Sequence, residues 1–302
     1  MNQQFLTELN AVVAENRIFT DEPMKKHTTF RVGGPADVLV MPERAELAAV
    51  IRLCRTYDIP YQVIGNGSNL LVGDRGIRGL VIGMLSKEDE ICVEDDCITV
   101  GAGMLLSKTA NCAAAHGLTG MEFAAGIPGS IGGAVVMNAG AYGGEMKDIL
   151  TAVTVLDKDG NEKVLMVEEL ELGYRTSCIL KKGYIVTGAK IKLKHGNEKE
   201  IRARMDELKK QRVEKQPLEF PSAGSTFKRP EGYFAGKLIM DAGLRGYLVG
   251  DAQVSEKHCG FVINRGNATA ADIKTLMQNV SDIVEEKFDV RLEPEVKMIG
   301  EF

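Results

Sequence analysis

The chain has no paired cysteines, no basic excess and no long apolar run, and each absence removes a class of function. Its six cysteines, at 54, 92, 97, 112, 178 and 259, form no CxxC pair. The nearest two, Cys92 and Cys97, flank the acidic turn Glu94-Asp95-Asp96 and have no partner pair elsewhere. This pattern argues against zinc and for reduced, buried thiols, so no metal is expected. A formal net charge of −5 argues against broad, non-specific nucleic-acid binding, while leaving room for a local basic pocket for an anionic small molecule. No apolar stretch approaches the length of a membrane span, and residues 1–6 carry neither a basic n-region nor an apolar h-region. A cytoplasmic protein without membrane insertion is expected.

The standard nucleotide motifs are also missing. Neither Gly65-Asn66-Gly67-Ser68-Asn69-Leu70 nor Gly101-Ala102-Gly103-Met104-Leu105-Leu106 completes GxGxxG, because the last glycine is absent. Gly236-Lys237 looks like the end of a P-loop, but Leu238 stands where Ser or Thr would hold magnesium. There is no HExxH, GxSxG or kinase signature, no internal repeat and no low-complexity tract.

Glycine is what the chain does have. Ala125-Gly126-Ile127-Pro128-Gly129-Ser130-Ile131-Gly132-Gly133-Ala134 runs on to Asn138-Ala139-Gly140-Ala141-Tyr142-Gly143-Gly144. Each glycine inside an element gives up roughly 0.5–1 kcal/mol relative to alanine. A chain tolerates that where its backbone must approach a bulky ligand closely, above all a pyrophosphate. A linker would be polar and Gly/Ser-rich, whereas this run carries Ile127, Ile131, Val135, Val136 and Met137. The stretch 65–69, directly after the apolar strand 61–64, is a second candidate phosphate loop.

Apolar spacing predicts a helix over about 5–16 and a second one opened by Pro42, with Leu47, Val50, Ile51 and Cys54 on one face. Residues 79–194 read as β-rich, with strands at 79–82 and 97–100 and a hairpin of 154–157 with 163–165. A helix carrying Leu105, Leu106, Thr109, Cys112 and Ala113 interrupts them. The charged segment 197–214 reads as a solvated helical connector, followed by a smaller α/β domain with helices near 235–241 and 270–288.

Two glycine loops without a standard nucleotide motif suit an extended flavin dinucleotide. The set His27-Thr28-Thr29-Phe30-Arg31-Val32-Gly33-Gly34-Pro35-Ala36, the loop 65–70 and the loop 126–143 resembles the FAD-binding half of the UDP-N-acetylenolpyruvoylglucosamine reductase family. That half has the flavin fold of vanillyl-alcohol oxidase and p-cresol methylhydroxylase. Tyr174-Arg175-Thr176-Ser177, Pro221-Ser222-Ala223-Gly224-Ser225-Thr226-Phe227-Lys228-Arg229-Pro230 and Leu292-Glu293-Pro294-Glu295-Val296-Lys297-Met298-Ile299-Gly300 extend the resemblance over nearly the whole chain.

The resemblance implies an α+β architecture. A two-lobed FAD-binding domain of the p-cresol methylhydroxylase type would have lobes at 1–82 and 83–196. A smaller C-terminal α/β substrate-binding domain would span 197–294, with a strand in 295–302 returning to the first lobe. FAD would be held non-covalently, since no His or Cys stands in the glycine loops to tether it. The implied contacts are Gly65, Asn66, Gly67, Ser68, Asn69 and Leu70 in one loop. The other supplies Gly126, Ile127, Pro128, Gly129, Ser130, Gly132, Gly133, Asn138, Ala139, Gly140, Ala141 and Tyr142. Tyr142 either packs on the flavin or fills core.

The family reduces the enolpyruvyl ether of UDP-N-acetylglucosamine to a lactyl ether, giving UDP-N-acetylmuramate for peptidoglycan. NADPH reduces FAD, and the flavin N5 delivers hydride to the terminal enol carbon, leaving a carbanion beside a carboxylate. Arg175 matches the family's catalytic arginine and would offset that charge; by itself it reads as a surface arginine. Glu295 matches the catalytic glutamate. Next to a dianion it would have to be neutral and donate a hydrogen bond, a state that burial favours; by itself it is a routine strand carboxylate. Ser225 matches the proton donor to the new carbon centre; by itself it is a turn serine. Tyr174, Lys215, Lys228 and Arg229 are the implied substrate-binding residues, with Lys237 a further candidate cation. His27 fits the flavin-domain entry, while His116, His195 and His258 read as structural or exposed.

The chain resembles the shorter subtype, which lacks a tyrosine-bearing loop between the arginine and serine motifs. Arg229 stands where the longer branch has asparagine, and it is the candidate to shield the diphosphate. An oxygen-using sugar or alcohol oxidase on the same fold is a second reading, against which count the missing His or Cys tether and the match of Ser225 and Glu295. A flavin- or nucleotide-sugar-binding regulator without turnover is a third, against which counts the intact trio Arg175, Ser225 and Glu295. The expected partners are NADPH and the enolpyruvyl substrate, on a monomer or weak homo-oligomer.

Overall fold

The computed structural model describes residues 2–85 and 90–302. The chain forms two compact units: Met1–Thr20, Val38–Asn66 and Gly79–Arg212 make the first, and Asp21–Asp37, Gly67–Arg78 and Val213–Phe302 the second.

In the first unit, helices Gln3–Val12 and Arg44–Thr56 bury Phe5, Leu9, Leu47, Val50, Ile51 and Cys54 with Val38, Val40, Leu80 and Ile82. The second helix starts at Arg44 and not at Pro42 because Glu43 and Glu46 form a reciprocal capping box. Strand Tyr61–Ile64 lies parallel to the end of strand Ile77–Gly83, with Tyr61 opposite Leu80 and Ile64 opposite Gly83. The five-stranded antiparallel sheet runs Glu162–Met166, Leu150–Leu156, Ile185–Lys192, Cys97–Gly101, Ile91–Glu94. Its expected hairpin forms because the Asp157 carboxylate accepts the amides of Asp159 and Asn161 while Gly160 turns at φ +73°. Helices Leu106–Ala115 and Ile131–Val136 share its core with Ile98, Val100, Val153, Val155 and Ile191.

The helix Glu198–Lys215 is not the purely solvated connector its charge suggests, since Ile201 and Leu208 are buried.

In the second unit, a three-stranded sheet, Leu248–Val249, Ala252–Val254 and Val262–Asn264, shares a core with helices Ala235–Asp241 and Ala270–Phe288. Phe30, Val32 and Leu71 belong to the same core. Strand Leu70–Val72 lies parallel to Lys297–Ile299. Both Asp74 carboxylate oxygens accept amides at the start of the Ala270–Phe288 helix, from Ala270 and Ala271. Compactness thus groups 21–37 and 67–78 with 213–302, a different division from lobes at 1–82 and 83–196 and a domain at 197–294. The architecture is α+β. Among the described residues, no helix is long and apolar enough to cross a membrane.

Three thiols, Cys54, Cys178 and Cys259, are buried as expected, but Cys92 is exposed and Cys97 and Cys112 are half-buried. The strand Ile91–Glu94 is a hairpin edge, which leaves alternate side chains in solvent.

Candidate functional site

The first unit builds a glycine cradle from two loops. Asn66 donates its side-chain amide to the Pro128 carbonyl at 2.7 Å. A Cβ at Gly65 would lie 2.3 Å from Ser130 Oγ, so a side chain there would crowd the place where the loops meet, and one at Gly132 would lie a tight 3.1 Å from the Ala102 Cβ. Ser130 caps the Ile131–Val136 helix. The Ile131 and Gly132 amides bond the carbonyls of Met104 and Ala102, which fixes the loop rigidly.

A turn bearing Arg175 is fastened to the same loop. Gly173 and Thr176 bond each other's backbone, leaving Tyr174 and Arg175 at the tip with Arg175 at φ +54°. Left-handed backbone at a bulky side chain is the kind of strain that gathers at functional sites. Three hydrogen bonds hold the turn: Asn138 Nδ2 to the Gly173 carbonyl at 3.1 Å, Ser177 Oγ to the Val136 carbonyl at 2.8 Å, and Arg175 Nη2 to the Gly140 carbonyl at 3.2 Å. Tyr174 is exposed, with the Arg175 guanidinium 5.1 Å from its ring centre.

The Asn138 side chain has a framework role. Its amide nitrogen also donates to Glu145, and its oxygen accepts the Lys147 amide, so both donors are engaged with protein. Tyr142 is exposed at φ +53° and does not fill core.

Arg212, in the Glu198–Lys215 helix, was not legible as a site residue. Its guanidinium lies against Gly126, with Nη1 3.3 Å from where a Cβ would stand. Burial pulls its pKa below the usual arginine value, and Tyr142 nearby opposes that shift. Among the described residues no carboxylate pairs with it, so an electronegative group from a ligand fits there. Four cationic neighbours in sequence, Arg202, Arg204, Lys209 and Lys210, disguise it as surface charge.

In the second unit, Gly67 turns at φ +60°, and a Cβ there would lie 2.0 Å from the His27 carbonyl oxygen. Thr29 takes the Gly67 carbonyl with its amide and the Ser222 carbonyl with its hydroxyl, at 3.3 and 2.6 Å. The segment 27–30 therefore joins the 67–70 loop to the serine motif. Asn69 donates to the Glu295 carbonyl at 3.2 Å, and its own carbonyl accepts the Lys297 amide. Phe227 bridges Pro294, and Lys228 donates its amide to Glu293. Thus 67–70, Ser225 and Glu295 stand on adjoining segments, with Ser225 exposed and Glu295 half-buried.

The expected substrate cations divide. Lys228 pairs with Glu293 at 2.9 Å, which holds that carboxyl below its usual range, and Lys237 pairs with Asp241 at 2.7 Å. Arg229 donates through Nε to the Tyr233 carbonyl and lies 3.9 Å from the centre of the exposed Phe234 ring. Lys215 is exposed at the end of its helix. Gln216, beside it, was also missed: its buried Oε1 has no hydrogen-bond donor among the described residues. An orphaned buried acceptor costs about 1–3 kcal/mol, so a ligand N–H or O–H would fit there. His258 is half-buried, with Nδ1 accepting the Gly260 amide at 3.1 Å, and burial lowers its pKa. No cluster of metal-ligating side chains occurs among the described residues.

The glycine cradle, with the Arg212 guanidinium beside it, fits a flavin dinucleotide, and residues 35–165 match the FAD binding domain family. The chain is an FAD-dependent oxidoreductase. Residues 216–299 match the C-terminal domain of UDP-N-acetylenolpyruvoylglucosamine reductase. The chain is 58% identical to the reductase of that name from Agathobacter rectalis, over 100% of both chains. It is 51% identical to that of Caldanaerobacter subterraneus subsp. tengcongensis, again over 100% of both. The crystal structure of the Thermus caldophilus enzyme (MurB) superposes with a TM-score of 0.79 at 42% identity, covering 91% of this chain and 97% of that one. The chain belongs to the UDP-N-acetylenolpyruvoylglucosamine reductase family.

Proposed function

We propose that the chain catalyses the NADPH-dependent, FAD-mediated reduction of UDP-N-acetylglucosamine enolpyruvate to UDP-N-acetylmuramate, with Arg175, Ser225 and Glu295 as its catalytic residues. The observation that carries the reaction is the full-length 58% identity to a reductase of that name, and the role of Arg175 is supported by the three hydrogen bonds that fasten its turn to the glycine loop. Non-covalent FAD would be held by 65–70, by 126–142 and by Arg212, with Asn138 bracing the loop. The bound flavin supplies hydride transfer from NADPH to the terminal enol carbon.

Hydride arrival leaves the adjacent carbon carbanionic, conjugated to the substrate carboxylate. A fixed guanidinium at Arg175 stabilises that charge without reorganising as it develops. Ser225 gives its proton to the carbanionic carbon, a base strong enough to take it, and regains one from solvent. Glu295, as the neutral acid, donates a hydrogen bond to the carboxylate oxygens. Tyr174, Lys215, Lys228 and Arg229 bind the substrate, and Arg229, steadied on Phe234, covers the diphosphate. The enzyme serves peptidoglycan synthesis, and hence wall growth, cell shape and division, from the cytoplasm. It acts as a monomer or weak homo-oligomer.

An anaerobic flavin titration tests this. NADPH should bleach the yellow protein, and UDP-N-acetylglucosamine enolpyruvate should restore the oxidised spectrum without oxygen. Flavin that stays bleached until air is admitted would overturn the reductase assignment in favour of an oxidase.

A further inference from the structure

We propose that Thr226 is a positioning residue for this reaction, fixing the register of Ser225 against Glu295; the inference rests on the roles given to those two residues above. Thr226 is 0% exposed, and each of its backbone and side-chain polar groups is engaged within the second unit. Its amide donates to the Gly260 carbonyl at 2.9 Å, and its carbonyl accepts the Glu295 amide at 2.8 Å. Its Oγ1 accepts the Val262 amide at 2.9 Å. Next along the chain, Phe227 bridges Pro294 antiparallel, and the Lys228 amide donates to the Glu293 carbonyl at 2.8 Å.

The serine segment therefore runs, as an extended segment with one isolated bridge, between two others. Residues 260–262 flank it on one side and 293–295 on the other, and Thr226 bonds to both. The hydroxyl carries half of the link to 260–262. Without it, the Val262 amide is buried with no acceptor, and that side is held by the Gly260 bond and, at the start of the segment, by the Asn264 amide on the Pro221 carbonyl. Ser225 and Glu295 must serve one substrate carboxylate and the carbon next to it, where a shift of about 1 Å costs on the order of a hundredfold in rate. Thr226 touches neither the substrate nor the flavin in this account; it acts through the backbone of its neighbours.

Thr226→Val keeps the shape of the side chain and removes the acceptor. On FAD-loaded enzyme in anaerobic stopped flow, bleaching by NADPH should stay within about twofold of the parent. Reoxidation by UDP-N-acetylglucosamine enolpyruvate should slow by about tenfold or more, and Thr226→Ser should restore it to within about threefold. Unchanged reoxidation, equal slowing of both halves, or no rescue by serine overturns the proposal. Ser225→Ala, run in parallel, separates it from the reading beneath it. Normal reoxidation in Ser225→Ala removes the proton-donor role itself, whereas slow Ser225→Ala beside normal Thr226→Val removes only the positioning role. If Thr226→Val yields no folded holoenzyme, hydrogen exchange on the unsubstituted enzyme decides. The Val262 and Glu295 amides should be protected like the core of the Ala270–Phe288 helix, and rapid exchange at either overturns the proposal.

Discussion

Asn138 donates its side-chain amide to the Gly173 carbonyl at 3.1 Å, which makes the glycine loop and the arginine turn one mechanical piece. Asn138 is fully buried, at φ +41°, a conformation asparagine tolerates better than alanine. Asn138→Ala should cost about 1–3 kcal/mol, because it strands the Lys147 amide, leaves the Gly173 carbonyl with the Thr176 amide alone, and strains the backbone. Thermal melting followed by flavin fluorescence should show a fall of several degrees, together with a loss of turnover. A melt that matches the parent would remove the bracing role.

Glu295→Gln keeps a neutral donor at the same place, and Glu295→Ala does not. Turnover in the alanine variant should fall by about a hundredfold or more, with a clearly smaller loss for glutamine. Steady-state rates at saturating substrate check this, and equal losses would count against a neutral carboxyl.

Arg212→Met retains the aliphatic packing and removes the guanidinium from Gly126. The FAD dissociation constant should rise by about ten- to a hundredfold, the worth of a charged hydrogen bond. The flavin-free protein should melt no lower than its parent, since no carboxylate among the described residues loses a partner. Ultrafiltration with flavin fluorescence reads the first, and calorimetry the second. A lower melt with unchanged flavin retention would make Arg212 structural.

His258 makes stability depend on mild acid. Burial lowers its pKa below the ordinary 6.5, and Nδ1 must stay unprotonated to accept the Gly260 amide. As pH falls below 6.5, the unfolded chain takes up this proton before the folded one does, so stability drops across that interval. Above it both states are neutral and the term vanishes. Urea unfolding from pH 7.5 to 5.5 should show this slope, and His258→Asn, whose Oδ1 replaces Nδ1 as acceptor, should remove its share.

The thiols should sort by burial. The Cys54 thiol is pushed up to about 12 by burial, whereas Cys92 is exposed. Iodoacetamide at pH 8 with peptide mass mapping should label Cys92 first and Cys54 only on unfolding. Early labelling of Cys54 would contradict its place in the core.

Local signals were readable wherever the sequence pattern is itself local. Helical spacing located Ala235–Asp241 and Ala270–Phe288, an apolar run before glycine located Tyr61–Ile64, and Asp159-Gly160 located the hairpin turn. The two glycine loops were legible because absent side chains are visible in a sequence. Arg212 was not, because what distinguishes it from its charged neighbours is the glycine it covers. Left-handed backbone at Asn138, Tyr142 and Arg175 was equally hidden, since only glycine advertises that conformation. The grouping of 21–37 and 67–78 with the C-terminal third depends on pairings between distant segments, such as Leu70–Val72 with Lys297–Ile299, that no local window contains.

That last pairing has a consequence for synthesis in the cell. The Leu70–Val72 strand leaves the ribosome long before its partner, and Gly73, Arg75 and Gly76 also wait for Ile299 and Glu301 to close their backbone bonds. Through most of translation the nascent chain carries an open apolar edge, the kind that recruits strangers. A premature stop just ahead of Lys297 would leave that edge open for good, and such a product should be met by chaperones and proteases before it ever met a flavin.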